Sequence, residues 1–389
     1  MVHPGVYLEH AQRTKEPPLP SGVIPFSISG LTPLDEQPPS GVEMEDSTPL
    51  LSDPEALQAR CRRDGFLYFR GLLPSGECRT VERDFVELLH KFGWIDEAQD
   101  TELGTRTCVP VGSKDYGGEE FAPFFKTFQQ LESFHTLAHS APLLDALHAL
   151  FGEPPLVHPR HIGRVVFPKQ NEGKTMPHQD WIHVQGCART MTAWVPLGPV
   201  PRSAGGLAVL RGSSKLGLQP HYRTQRLGLV GGAGGIGVMP APMEREGCEW
   251  ASTDYQRGDV CLFDSLCLHQ ALPNIGDSIR LSLDYRYSGI SQPVEVASLK
   301  PHIGGTWDEI YAGDMPFAKG PWRHSDYQFY WRAYPKLNVV EKVAPPPGSQ
   351  EPDFEGDVCP ARLPDGTPRV RIGAANINPA GPPETVSKL

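Results

Sequence analysis

The sequence has little of what would tie it to a membrane, a nucleic acid or an oxidising compartment. No stretch approaches the roughly 18 consecutive apolar residues of a membrane-spanning helix, and the opening "MVHPGVYLEHAQRTKEPP" lacks the apolar core of a secretory signal. Both absences predict a chain kept inside the cell. Basic residues are outnumbered, 36 Lys and Arg against 46 Asp and Glu, for a net charge of −10. Nucleic acids and anionic lipid surfaces need clustered cations, so neither is expected as the main partner, although a local basic pocket for a small anion stays compatible. The eight cysteines form no CxxC pair and no finger-like spacing. That removes a zinc finger and a disulfide framework and leaves free buried thiols. No internal repeat with a period of about 20 to 50 residues exists, which excludes solenoids and propellers.

What the sequence does contain is enough apolar mass for one large domain with tails: 389 residues, 39% hydrophobic and 21% charged. Residues 1–50, with "EPPLPSG" and "LDEQPPSG", read as a Pro/Gly-rich arm, and residues 344–389, from "APPPGSQEP" onward, as an irregular tail. The stretch 51–343 between them reads as a single domain in three parts. In 51–155, Asp53 suits an N-cap, Pro54 the first helical position and Gly65 the stop of a first helix. "FLYFRGLL" then suits a buried strand, and "PSGECRTVERDFVELLHKFG" restarts a helix with Val81, Phe85, Leu88 and Leu89 on one stripe. A helical pair spans Phe128 to Phe151 and ends at Gly152. From 156 to 290 the pattern changes to short alternating runs, "HIGRVVFP", "MTAWVPLG", "GGLAVLRG", "GDVCLFDSLCLHQALP" and "IRLSLDYRYS", separated by Gly, Pro and Asn. Such spacing predicts an antiparallel double-sheet barrel or jelly roll inside a mainly β fold with flanking helices, α+β in class. The part 291–343 offers one more helix, Ser325 to Tyr334.

"MPHQDWIHVQG" packs His178, Asp180 and His183 into six residues. On or beside a strand, His178 and Asp180 share a face and His183 points the other way. A helix would place no two of the three together, so a strand edge is expected, supplying two metal ligands. A third must come from elsewhere, and His269, closing "VCLFDSLCLH", has the best setting. "PNIGD" then predicts a hairpin near Asn274 to Asp277 that would lay His269 beside Arg280 and Ser282. Two histidines and one carboxylate form the facial triad of non-haem Fe(II) oxygenases, with positions open for a bidentate co-substrate and dioxygen. If that co-substrate is 2-oxoglutarate, its distal carboxylate needs a fixed cation: Arg280 offers a planar fork and Ser282 a hydroxyl. Arg160 and Arg164, alternating on "HPRHIGRVV", suit either binding an anion or pairing with acids.

"HQD" at 178–180, with His269 followed eleven positions later by Arg280, resembles the phytanoyl-CoA dioxygenase family of Fe(II)/2-oxoglutarate oxygenases. "RDGFLYFRGLL" at 63–73, "HPRHIGRVVFP" at 158–168, "TAWVPL" at 192–197 and "GGLAVLRGSSK" at 205–215 carry the similarity across residues 50–290. The resemblance implies a double-stranded β-helix (jelly-roll, cupin-like) core, with Fe(II), 2-oxoglutarate and O2. It implies hydroxylation of a C–H bond with release of succinate and CO2. By the same likeness His178, Asp180 and His269 correspond to the iron ligands, Arg280 to the carboxylate clamp, and Trp194 to an aromatic lining the co-substrate pocket. Arg164 is a further co-substrate candidate from its place on the alternating strand, not from the likeness. Where related halogenases have a small residue, Asp180 fills the ligand position, so hydroxylation or another oxidation is expected. The sequence departs from the family pattern at Ala271 and at "RGSS", 211–214.

The last three residues, Ser387, Lys388 and Leu389, form the tripeptide read by the peroxisomal import receptor. This predicts a peroxisomal protein, otherwise a cytoplasmic one. The expected partner is a small-molecule substrate, an acyl-CoA or fatty-acid derivative. The rival readings are a tailoring enzyme of specialised metabolism on the same chemistry, and a catalytically idle metal-binding scaffold.

Overall fold

Asp53 opens the first helix, Pro54–Asp64, by accepting the Ala56 amide at 3.0 Å, and Gly65 closes it at φ +82°. The left-handed glycine turns the chain straight into a wholly buried strand, β2 (Phe66–Phe69). In this computed structural model the described residues are 41–95, 121–168, 175–219, 222–223, 236–238, 240–302 and 304–341. Most of the expected N-terminal arm and all of the C-terminal tail, including the "SKL" import signal, lie outside them. The end of that arm does take part in the fold: β1 (Val42–Glu43) pairs in parallel with β8 (Glu249–Ser252).

Two sheets make up the core. The larger runs β2, β9 (Val260–Asp264), β4 (Met191–Pro196), β11 (Arg280–Gly289) and β3 (Pro155–Val166). The smaller runs β1, β8, β5 (Leu207–Arg211) and β10 (His269–Ala271). Apolar side chains from both sheets meet between them: Phe66, Tyr68, Trp194 and Phe263 from one, Leu207, Val209 and Ala251 from the other. This is the double-sheet jelly roll that the alternating runs predict, and the double-stranded β-helix that the family resemblance implies. On its other side the large sheet carries the helices Ser75–Lys91, Phe121–Gln129 and Ala141–Phe151, whose apolar stripes bury Leu281, Leu283, Tyr285 and Tyr287 of β11. Short pairs complete the chain: β6 (Tyr222–Arg223) with β7 (Ile236–Gly237), and β12 (Val294–Glu295) with β13 (Val339–Val340).

Four expectations need correction. The pair expected over Phe128–Phe151 is a chain of shorter pieces that begins earlier, at Phe121, and breaks around Gln130 and Ser140. "VCLFDSLCLH" is two strands, because the turn after Asp264 moves the chain from the large sheet to the small one. Residues 272–279 carry it back, so β10 and β11 do not form a hairpin; Asn274 holds this crossover by donating to the Val166 and Ser278 carbonyls at 3.2 and 2.7 Å. Finally, Ser325–Tyr334 is not one helix but two 3-10 turns. Phe329 between them takes φ +51°, and its amide donates to the Tyr311 hydroxyl.

Candidate active site

His178 and His269 face each other as an isolated antiparallel bridge between the "HQD" loop and the start of β10. Each amide donates to the other's carbonyl, at 3.0 and 3.1 Å, and the two rings sit 4.2 Å apart. Nδ1 of His178 meets the Met176 carbonyl at 2.7 Å, and Nδ1 of His269 meets the Cys267 carbonyl at 3.0 Å. A carbonyl only accepts, so both Nδ1 atoms carry the proton and both Nε2 lone pairs are left for a metal. The two Nε2 atoms lie 3.8 and 3.9 Å from Oδ1 of Asp180. All three donor atoms fall within 4.8 Å of one another, and each residue is buried.

The loop that presents them is tied down by its middle residue. Gln179 is fully buried; its amide donates to the carbonyls of Gly217 and Leu266 at 2.9 and 2.6 Å and accepts the Gln219 amide at 2.7 Å. Immediately afterwards the chain makes one helical turn, Trp181–Val184, and leaves it at Gln185 with φ +40°. The segment is therefore not a strand edge, and alternation is not what separates His183 from the pair. The turn carries the His183 ring to 6.1 Å from that of His178, outside the three-residue cluster.

Asp180 divides its two oxygens. Oδ2 accepts the Thr192 hydroxyl at 2.7 Å and the Arg286 guanidinium through Nε and Nη2 at 3.3 and 3.2 Å. Oδ1 is left facing the two imidazoles. Burial opposes ionisation of this carboxyl, but the Arg286 guanidinium and the Thr192 hydroxyl outweigh it and hold Asp180 well below the usual carboxylate range. Burial, and then His269, push His178 down to about 3, and burial lowers His269 too. Both histidines are thus neutral at physiological pH, as ligation requires. Sequence reasoning missed Gln179, Thr192 and Arg286; the last two lie on separate strands, and only strand register brings them to Asp180.

The other expected residues fall into two groups. Arg280, 2% exposed, donates Nη1 to Ser282 Oγ at 2.7 Å, with its guanidinium 5.8 Å from the Trp194 ring. Trp194 itself packs on Tyr255 at 4.7 Å, so it is both core and neighbour of the cation. Arg164 pairs through Nε with Asp284 at 2.6 Å and lies within electrostatic reach of His178 and His269. Strand register explains the grouping: Arg280, Ser282, Asp284 and Arg286 alternate onto the inner face of β11, and Ser282 stands opposite Arg164.

Two imidazole nitrogens and one carboxylate oxygen, converging inside a double-stranded β-helix, form the donor set that a non-haem iron oxygenase uses. The family model described as Phytanoyl-CoA dioxygenase (PhyH) matches residues 61–282, and the chain belongs to this family of Fe(II)/2-oxoglutarate-dependent dioxygenases. Similar proteins include the 1-deoxypentalenic acid 11-beta-hydroxylases of Streptomyces arenae and Streptomyces exfoliatus. They are 29% and 28% identical over 264 and 265 residues, in each case 66% of this chain and 88% of the relative. EctD from S. alaskensis, solved with bound Fe, aligns at a TM-score of 0.44 and 16% identity over 74% of this chain and 88% of its own.

Proposed function

We propose that His178, Asp180 and His269 hold Fe(II), that Arg280 and Ser282 receive the distal carboxylate of 2-oxoglutarate, and that the enzyme hydroxylates a C–H bond of a small organic substrate. The observation that supports the iron assignment most is the division of labour at each ligand: every outer atom is hydrogen-bonded and every inner one is left for the metal. The bound metal supplies activation of O2, and the overall change converts C–H, O2 and 2-oxoglutarate into C–OH, succinate and CO2. The protein's own residues orient and exclude. Thr192 and Arg286 keep Asp180 ionised and turned to present one oxygen. The buried Arg280 fork, set by Ser282, fixes the length and direction of a dicarboxylate. Trp194 and Phe263, whose ring is 4.3 Å from His269, keep water from the interior of the barrel.

An oxidative tailoring role on a compact metabolite is supported by relatives that hydroxylate 1-deoxypentalenic acid and match over most of their length. The acyl-CoA reading draws on the family's name. Anaerobic addition of Fe(II) and then 2-oxoglutarate is expected to produce a visible charge-transfer band that His178→Ala abolishes. An undiminished band in that variant would overturn the ligand assignment. A gain of one oxygen, followed by mass spectrometry across free acids and acyl-CoA thioesters, separates the two substrate classes.

A further inference from the structure

Arg160, Ile162 and Arg164 follow one another along β3, each partly open to solvent, while His161, Gly163 and Val165 between them are buried beneath the helices. Opposite strand partners place two of the three on the inner face: Arg164 pairs with Ser282 and Ile162 with Asp284, while Arg160 falls in a register shift of β3 against β11 and lies within electrostatic reach of Arg286, the guanidinium that grips Asp180. This wall of the barrel is cationic, but its charges are not equivalent. Arg164 is ion-paired with Asp284 and Arg286 with Asp180. Arg160 has no ion pair among the described residues; its one hydrogen bond there runs from Nη1 to the Ala297 carbonyl at 3.2 Å.

The surroundings of Arg160 leave its charge only partly offset. The buried carboxylate of Glu295 lies within electrostatic reach but does not close to an ion pair. His302 lies within reach of Arg160, Arg164 and Arg286, with its Nδ1 buried and without a hydrogen-bond partner. Burial and then the three arginines push that imidazole down to about 3, so it contributes no charge of its own. A guanidinium held by a backbone carbonyl, with donors left over and no counter-charge in contact, is suited to a planar anion. Its distance from the metal ligands is also informative. Arg164 acts electrostatically on both histidines, and Arg160, four residues from it along the chain (at most about 13 Å) and within the register shift, acts on Arg286.

We infer that Arg160 is the receptor for a carboxylate on the primary substrate, which is a compact organic acid lying with its apolar body over Ile162 and its reactive C–H toward the triad. This deepens the proposed hydroxylase reading and rests on it. Arg280, at the far end of the inner face of β11, is reserved for the co-substrate, so the two anions occupy different cations.

The probes are benzoate and its uncharged isostere benzamide, titrated calorimetrically into the anaerobic Fe(II)–2-oxoglutarate enzyme, where saturating co-substrate occupies Arg280. Benzoate is expected to bind at least about tenfold tighter than benzamide, a difference of about 1.4 kcal/mol. Arg160→Met should erase the preference and Arg160→Lys should keep part of it, while both retain the charge-transfer band. Equal binding of the two probes, no measurable binding of either, or a preference undiminished in Arg160→Met would each overturn the assignment. A missing band in the unaltered enzyme would instead count against the iron and 2-oxoglutarate reading itself, which keeps the two failures distinct.

Discussion

Along β11 the two faces are buried alike and built from opposite chemistries. Toward the helices stand Leu281, Leu283, Tyr285 and Tyr287, whose two phenol hydroxyls donate to the carbonyls of Phe134 and Ala138 at 2.6 and 2.9 Å. Toward the small sheet stand Arg280, Ser282, Asp284 and Arg286. Removing an apolar side chain of this size from water contributes about 1.5–3 kcal/mol, whereas burying a charge costs several kcal/mol before pairing offsets it. A strand selected for stability alone would be apolar on both sides. The inner face therefore fits the binding role proposed for it, and the outer face provides the stability that tolerates it. Alternation places the two roles one residue apart.

Substitutions can separate those roles. The largest functional effect is expected inside the barrel, at the proposed ligand that opens β10: His269→Ala should weaken iron binding by more than the 10–100-fold that is typical for an outer-shell partner. It should abolish 2-oxoglutarate turnover, checked by metal titration and succinate release, with a modest change in melting temperature. On the outer side, Leu283→Ala should cost about 2–5 kcal/mol by leaving a cavity, measured by denaturant unfolding, while the charge-transfer band persists. A lost band together with unchanged stability in Leu283→Ala would break the division between faces. Arg286→Gln is intermediate. It removes the guanidinium from Asp180 Oδ2 but touches neither metal nor substrate, so iron affinity should fall about 10–100-fold. An unchanged affinity would show that Thr192 alone positions the carboxylate.

Much of this arrangement was legible in the sequence, and the gaps have physical causes. Period-two runs marked β3, β4, β5 and β11, and cap residues marked the helix Pro54–Asp64, because both signals are local. The set His178, Asp180, His269 and Arg280 rests instead on the motif resemblance, because the first pair does not lie on a strand edge and β10 and β11 form no hairpin. Partner choice was not legible: alternation within a strand assigns faces but not neighbours, so the run through Asn274 looked like a hairpin when it crosses between sheets. A single helical turn such as Trp181–Val184 is too short to show a period. Thr192 and Arg286 converge on Asp180 through register, which no single-strand pattern carries. The aromatic density of Ser325–Tyr334 imitated a helix until Phe329 took a left-handed conformation to pack against Tyr311.

The smallest expected effect sharpens the comparison from the helix side, at a buried imidazole with no carboxylate partner among the described residues. His135 is buried, hydrogen-bonds the Gln129 carbonyl through Nε2 at 2.9 Å, and stacks near His161 and Trp322. Burial lowers it to about 3, against about 6.5 in the unfolded chain. Between those values the unfolded state binds a proton that the folded state does not. Stability contributed here is therefore complete above about pH 6.5 and lost as pH falls, with a slope of about 1.4 kcal/mol per pH unit. His135→Leu removes that proton uptake. Unfolding free energies of the variant and the parent, both metal-free in EDTA, should show a pH slope shallower by up to that amount between about pH 6 and 4. Parallel slopes would mean that the histidine is protonated in the folded protein, and that its pocket accommodates a charge as the inner face of β11 does.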